Sequence, residues 1–86
     1  MSLENDFNKA VEDVQKLPSK PSNDDLLILY SLFKQATIGP ARDKRPSALN
    51  IIARKKFDQW KALGSMEKNL AMKEYVAKVK ELEQSC

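Results

Sequence analysis

The chain has 86 residues, a length typical of one domain with a small core, and its 42% hydrophobic and 31% charged residues favour a folded soluble chain over a disordered one. It has no histidine and a single cysteine, Cys86, which excludes histidine-based catalysis, histidine-ligated metals and an intramolecular disulfide, and fits a reducing compartment. The net charge of +3 hints at an anionic partner but is low for a domain that binds duplex DNA. No apolar run approaches the roughly 20 residues that a membrane-spanning helix needs.

The first half of the chain predicts two helices. Apolar residues at helical spacing predict the first over about Leu3–Lys16, with Ser2 as its N-cap, before two prolines end it. The second is expected from Ser22 to about Thr37, because Ser22 precedes a run of acidic residues that suits a helix start. Its segment 26–33 is apolar on more than one face, which predicts a helix that is buried on two sides or lines a pocket.

The second half predicts two more helices after a long polar connection over residues 39–50. The third is expected over about Ile51–Leu63. The fourth is expected over about Met66–Gln84, with Ser65 as its cap and Glu74 paired with Lys78 on its outer face. Residues 1–86 are therefore interpreted as one small all-α bundle.

Three residues on the second helix are the first candidates for ligand binding. Tyr30 and Lys34 are four positions apart and share a helix face, and Phe33 lies beside them. An aromatic ring next to an ammonium group suits a nucleotide, since the ring stacks on the base and the cation meets a phosphate. The alternative interpretation is a core aromatic pair with a lysine that extends to solvent.

Cations and a tyrosine in the second half of the chain are further candidates. Arg54, Lys55 and Lys56 lie near the start of the third helix, where they form either an anion site or a solvated basic face. Tyr75 lies on the inner stripe of the fourth helix, where it is either a core residue or a ligand contact. Neither a catalytic carboxylate pair nor an activated nucleophile is recognised, so we expect no enzymatic activity.

Several segments in register resemble the acyl-CoA-binding protein family. The most specific is LeuTyrSerLeuPheLysGlnAlaThrIleGly at 29–39, which is close to the family's tyrosine-x-x-aromatic-lysine-glutamine-alanine-threonine-x-glycine signature. The others are LysProSerAsnAspAspLeuLeu (20–27), ArgPro (45–46), LysPheAspGlnTrp (56–60) and AlaMetLysGluTyrVal (71–76). The resemblance extends from Phe7 to Leu82 without a gap.

This resemblance implies a four-helix up-down-down-up bundle of the acyl-CoA-binding protein type without catalytic activity, metal or cofactor. It further implies a monomer that binds, buffers and transports long-chain fatty acyl-CoA thioesters in the cytoplasm. The basic face would allow transient contact with a membrane or with enzymes that use acyl-CoA. Nucleic acid is not an expected partner.

The resemblance also implies a set of ligand-binding residues. Tyr30 and Lys34 would contact the coenzyme head group, Phe33 would offer a ring to adenine, Lys56 would reach the 3′-phosphate region and Tyr75 would border the ligand. The complete predicted acyl-CoA site consists of Tyr30, Ser31, Leu32, Phe33, Lys34, Lys56 and Tyr75.

Two departures from the family's pattern keep other interpretations open. Gln15 and Ile52 stand where many members have lysines, which predicts weaker phosphate contacts and leaves open a helical protein-interaction module with a degenerate pocket. A less favoured alternative is an HMG-box-like DNA-binding domain, because segments 44–48 and 60–68 resemble pieces of that family. Those two segments lie too close together for an HMG box, and the net charge is low.

Overall fold

The computed structural model describes residues 2–42 and 44–85, and over these residues it contains four α-helices and no strand. The helices are α1 (Leu3–Val14), α2 (Asn23–Thr37), α3 (Ile51–Ala62) and α4 (Lys68–Ser85). The all-α prediction is confirmed, and each helix lies within a few residues of its expected position. Cys86, noted in the sequence as the single thiol, lies outside the described residues.

Short polar side chains begin the first three helices. The Oγ atoms of Ser2 and Ser22 each accept a hydrogen bond of 3.1 Å from the amide three residues further along, as predicted for N-caps. Asn50 does the same for α3 through its Oδ1 atom, at 3.2 Å. These bonds satisfy amides that have no partner within the helix, and so they fix where each helix starts.

Glycines with positive φ follow the ends of α2 and α3. Gly39 has φ +104° and its amide donates to the carbonyl of Lys34 at 3.2 Å, while Gly64 has φ +61°. Both are conformations that glycine adopts without the steric strain a Cβ atom brings. The chain therefore turns sharply after each helix.

The start of α4 differs from the prediction. The helix begins at Lys68 rather than Met66, and Ser65 lies in the preceding turn rather than at the cap position. Gln35 of α2 packs against this turn: it is fully buried and donates through Nε2 to the carbonyls of Gly64 (3.2 Å) and Met66 (2.7 Å). The first helical bond of α4 runs from the Ala71 amide to the carbonyl of residue 67, two residues later than a cap at Ser65 would give.

The helices pack in the spatial order α1, α4, α2, α3. Helix α4 contacts α1 and α2, and α2 contacts α4 and α3, so the apolar segment 26–33 is covered on two sides as expected. The core consists of Phe7, Ala10, Leu29, Leu32, Ala36, Ala71, Tyr75, Val79 and Leu82. A single row of helices makes a flat molecule, with Cα extents of 37 × 27 × 15 Å, in which hollows open to the surface. Within the described part of the chain, no helix has both the length and the apolar character needed to cross a bilayer.

An ion pair joins α2 to α4 and replaces the predicted Glu74–Lys78 pair. The Lys78 ammonium lies 2.8 Å from the carboxylate of Asp25 and 3.6 Å from that of Glu81. The hydrogen bond from Lys78 lowers the pKa of Asp25, and the same bond raises the pKa of Lys78. Residue spacing within α4 suggested Glu74, but a partner on the neighbouring helix lies within reach.

Candidate functional site

An apolar hollow of about 610 Å³ lies between the end of α1, the connection to α2, and the helices α2 and α4. We call it the apolar hollow. Its lining residues are Val14, Gln15, Leu17, Ser19, Lys20, Pro21, Leu26, Leu29, Tyr30, Phe33 and Tyr75. Most of these side chains are aliphatic or aromatic, so the hollow suits a hydrocarbon.

Three aromatic rings from three helices form a cluster beside this hollow, in which Phe33 and Tyr75 line the hollow and Phe7 packs against both of them. The ring centroids of Phe7 and Tyr75 lie 5.1 Å apart, and those of Phe7 and Phe33 lie 5.9 Å apart. Tyr75 is 4% exposed, and burial raises the pKa of its hydroxyl. Phe33 is 37% exposed, so part of its ring remains free to contact a ligand.

A second hollow, of about 540 Å³, lies between α2, α3 and the connection that precedes α3. We call it the basic hollow, because three lysines line it and, among residues 2–42 and 44–85, no acidic side chain does. Its lining residues are Tyr30, Lys34, Lys44, Pro46, Asn50, Ile52, Ala53, Lys56, Phe57 and Trp60.

Tyr30 lines both hollows and holds two of the lysines close to its ring. The Lys56 Nζ atom lies 5.2 Å from the ring centroid and the Lys34 Nζ atom lies 5.7 Å from it. Cation–π attraction stabilises the two like charges at this short separation. Neither lysine has a carboxylate within ion-pair distance among residues 2–42 and 44–85, so both remain available to an anion.

Two contacts fix the position of the basic hollow. One is a buried hydrogen bond at its floor, and the other is a bidentate ion pair beside its rim. The Trp60 indole donates to the Gly39 carbonyl at 2.8 Å, which ties α3 to the end of α2. Arg45 donates to both carboxylate oxygens of Asp58 at 3.0 and 2.8 Å, which ties the 44–50 connection to α3. The Arg45 guanidinium lowers the pKa of Asp58. The cations are therefore presented by a framework that is held in place before any ligand arrives.

A ligand that fills both hollows must have an apolar part joined to an anionic part. Over the described residues, no group of three or more cysteine and acidic side chains is placed to hold a metal ion. The two hollows therefore provide an apolar surface, lysine cations and aromatic rings to bind such a ligand.

The family model for acyl-CoA-binding protein matches residues 4–79 of the chain. The chain belongs to the acyl-CoA-binding protein family. An acyl-CoA-binding protein of Gossypium hirsutum is 48% identical over 82 residues, which cover 95% of this chain and 92% of the relative. One of Brassica napus is also 48% identical over 82 residues, covering 95% of this chain and 89% of that protein.

Solved structures agree with this assignment. The crystal structure of acyl-CoA-binding protein 2 of Oryza sativa superposes with a TM-score of 0.92 at 42% identity, covering 98% of this chain and 93% of that one. A crystal structure from Moniliophthora perniciosa gives a TM-score of 0.90 at 38% identity, covering 99% of this chain and 83% of that one. The fold is therefore the four-helix bundle of the acyl-CoA-binding protein family. Neither the DNA-binding alternative nor the degenerate-module alternative gains support.

The structure brings five of the seven predicted family site residues to the two hollows. Lys34 and Lys56 line the basic hollow, Phe33 and Tyr75 line the apolar hollow, and Tyr30 lines both. Phe33 therefore lies beside the hydrocarbon surface rather than among the cations. Its predicted contact with adenine stays a prediction.

Ser31 and Leu32, the other two predicted residues, lie inside the bundle rather than at the two hollows. Both are buried, at 3% and 6% exposure, and neither lines the apolar or the basic hollow. The Ser31 hydroxyl donates to the Ile28 carbonyl at 2.7 Å, so its polar group is already satisfied within α2. Ser31 and Leu32 belong to the helix that carries Tyr30 and Lys34, and their predicted contact with the ligand stays a prediction.

Other lining residues were not among the seven predicted for an acyl-CoA-binding protein. Lys44 comes from the long connection, and Lys20 comes from the segment that links α1 to α2. Helical spacing could not find either one, because both belong to non-helical chain. The two departures from the family's pattern also lie at the site, with Gln15 lining the apolar hollow and Ile52 the basic hollow.

Proposed function

We propose that the chain binds long-chain fatty acyl-CoA thioesters, with the acyl chain in the apolar hollow and the phosphorylated head group in the basic hollow. The observation that carries this proposal is that the two hollows meet at one side chain, Tyr30. An acyl-CoA thioester likewise joins a hydrocarbon chain to a polyanionic, phosphorylated head group.

The apolar hollow supplies the larger part of the proposed binding energy. Each buried methylene stabilises by about 0.8 kcal/mol, so a sixteen-carbon tail offers about 12 kcal/mol at most before ordering costs are subtracted. Leu26 and Leu29 of α2 and the rings of Phe33 and Tyr75 provide matching apolar surface. Tyr75 would also place its hydroxyl next to the ligand.

The basic hollow supplies charge complementarity. Lys34 and Lys56 would each donate to a phosphate oxygen, and a hydrogen bond of this kind contributes about 1.5–3 kcal/mol. Tyr30 would contact the head group from the position where its ring already lies against both ammonium groups. Phe33 lies one helical turn away and would extend the aromatic surface toward the acyl end.

The proposed role is non-catalytic buffering and transport of acyl-CoA by a monomer in the cytoplasm. Membership of the family supports binding as the central activity. The open form of both hollows supports exchange, since a ligand could leave without the bundle unfolding. Delivery would then involve transient contact with a membrane or with an enzyme that uses acyl-CoA.

The test is titration calorimetry with palmitoyl-CoA on the wild type and on single lysine variants. Lys34→Ala and Lys56→Ala are each expected to weaken binding about 10- to 100-fold, because each removes one charge-assisted hydrogen bond. Both variants should also show a smaller dependence of affinity on salt concentration.

The matched control is Lys80→Ala on α4, which removes an exposed lysine that lines neither hollow. Its affinity is expected to equal that of the wild type. Unchanged affinity in both Lys34→Ala and Lys56→Ala, or an equal loss in Lys80→Ala, would contradict the assignment of the basic hollow to the head group.

A further inference from the structure

Three large aliphatic side chains are exposed where α3 begins. Leu49 is 95% exposed, Ile51 64% and Ile52 69%. We call these three residues the apolar tip. They include the most exposed large hydrophobic side chains of the described chain, and adjacent exposed aliphatic groups are typical of a surface that contacts a partner.

Local hydrogen bonds hold the apolar tip in its exposed conformation. The Asn50 amide donates to the Ser47 carbonyl at 2.9 Å and the Leu49 amide donates to the Ser47 hydroxyl at 3.2 Å. Asn50 in turn caps α3 through the Ala53 amide. Leu49 could not fold back onto the bundle without breaking this turn, so its exposure is built into the backbone.

Lysines surround the apolar tip. Ile52 lines a small hollow of about 300 Å³ together with Lys55 and Lys56, and it lines the basic hollow together with Lys44. None of these three lysines forms an ion pair with a described residue.

Within the part of the chain that the structure describes, acidic groups near the tip are fewer than lysines. Asp24 lines the small hollow beside Lys55, and Asp58 is already occupied by its bidentate contact with Arg45. The surface around the tip therefore keeps a positive charge, and it is complementary to an anionic partner.

We propose that the apolar tip docks this protein onto the surface of a membrane that contains anionic lipid. Leu49, Ile51 and Ile52 would enter the boundary between head groups and acyl chains, while the lysines contact the anionic head groups. A second copy of the chain fits less well, because two tips would bring like charges together. Three side chains also cover far less than the roughly 800 Å² per partner of a stable protein interface.

The proposed docking does not depend on which ligand the hollows bind. It would, however, affect how a ligand enters and leaves the basic hollow. Because Ile52 lines the basic hollow, a docked tip would bring the mouth of that hollow to the membrane surface. A ligand could then exchange between the protein and the bilayer without crossing bulk water.

The test is co-sedimentation with vesicles of phosphatidylcholine, with and without about 30% phosphatidylserine. The wild type is expected to bind the anionic vesicles and not the neutral ones. The variant Leu49→Ser/Ile51→Ser, at positions that line neither hollow, is expected to weaken binding to anionic vesicles at least about tenfold. Its affinity for palmitoyl-CoA in solution and its thermal unfolding should match the wild type.

Two further variants separate the parts of the proposed surface. Leu70→Ser removes an exposed leucine from α4, which does not pack against α3, and it should leave vesicle binding unchanged. Lys55→Gln removes one cation beside the tip and should weaken binding about fivefold, with a smaller dependence on salt.

Several results would overturn the membrane proposal. They are absence of binding to anionic vesicles at low salt, equal binding to neutral vesicles, and undiminished binding by the double variant. Concentration-dependent self-association in sedimentation velocity, abolished by the double variant, would show that a second copy covers the tip instead.

Discussion

Tyr30 connects the two halves of the candidate site through a single side chain. Its ring lies within 6 Å of two lysine ammonium groups, and the same residue borders the hollow that suits a hydrocarbon. Sequence spacing predicted the contact with Lys34, because residues four apart share a helix face. It could not predict the closer approach of Lys56, which depends on how α3 packs against α2.

The residue at position 52 gives a direct test of the basic hollow. Ile52→Lys would place a fourth ammonium group in this hollow, and it is expected to tighten palmitoyl-CoA binding about tenfold by one added phosphate contact. Titration calorimetry at moderate salt measures the change.

The neighbouring position supplies the matched control. Ile51 is exposed to a similar extent but lines neither hollow, so Ile51→Lys should leave the affinity unchanged. Equal effects of both substitutions would mean that overall charge, rather than a positioned cation, governs binding.

At the level of helices, Gln35 joins α2 to the turn that precedes α4. Its partners lie 29 and 31 positions further along the chain, so no local pattern could identify them. The N-caps at Ser2 and Ser22 were predictable because they act over three residues. The contact between Gln35 and the turn before α4 was not predictable, because it joins two different helical regions of the chain.

Loss of the Gln35 amide is expected to destabilise the bundle. Gln35→Leu would remove the donor to the partly buried Met66 carbonyl and to the Gly64 carbonyl, and lower the free energy of unfolding by about 1 kcal/mol or more. Urea unfolding monitored by circular dichroism measures this change. Gln59→Leu, on the exposed face of α3, should change it by less than about 0.5 kcal/mol. A loss of stability no larger for Gln35→Leu than for Gln59→Leu would show that the turn does not need this amide.

The Asp25–Lys78 pair makes part of the α2–α4 contact dependent on pH. The pKa of Asp25 is lower in the folded protein than in the unfolded chain, so its stabilising contribution is present above about pH 4 and is lost as the pH falls through the lowered pKa. The pKa of Lys78 is raised, so its contribution is present at neutral pH and lost only as strongly alkaline pH passes the raised pKa.

Asp25→Asn is therefore expected to lower the melting temperature at pH 7, and its difference from the wild type should shrink as the pH falls through the lowered pKa of Asp25. The control is Asp24→Asn, which removes a charge from the same first turn of α2 but breaks no ion pair. Thermal unfolding of all three proteins across this pH range measures the difference. An equal loss in both variants would assign the effect to the helix dipole rather than to Lys78.

On the scale of the whole molecule, a single row of four helices explains why the site is open. The thinnest Cα extent of 15 Å leaves no room for an enclosed cavity, so apolar and basic surfaces form as neighbouring hollows beside α2. The two-sided apolar pattern of residues 26–33 predicted that α2 would be buried on two sides or line a pocket, and α2 both contacts two helices and lines the hollows. The sequence could not show which non-helical residues complete the hollows, because Lys20 and Lys44 are positioned by tertiary packing.

The central claim is that one ligand must occupy both hollows, and the most direct measurement is a comparison of three ligands by titration calorimetry. Palmitoyl-CoA is expected to bind at least about 100-fold more tightly than either free CoA or free palmitate, because each fragment fills only one hollow. Affinity for palmitate or for CoA equal to that for palmitoyl-CoA would contradict the claim, since a single hollow would then account for binding.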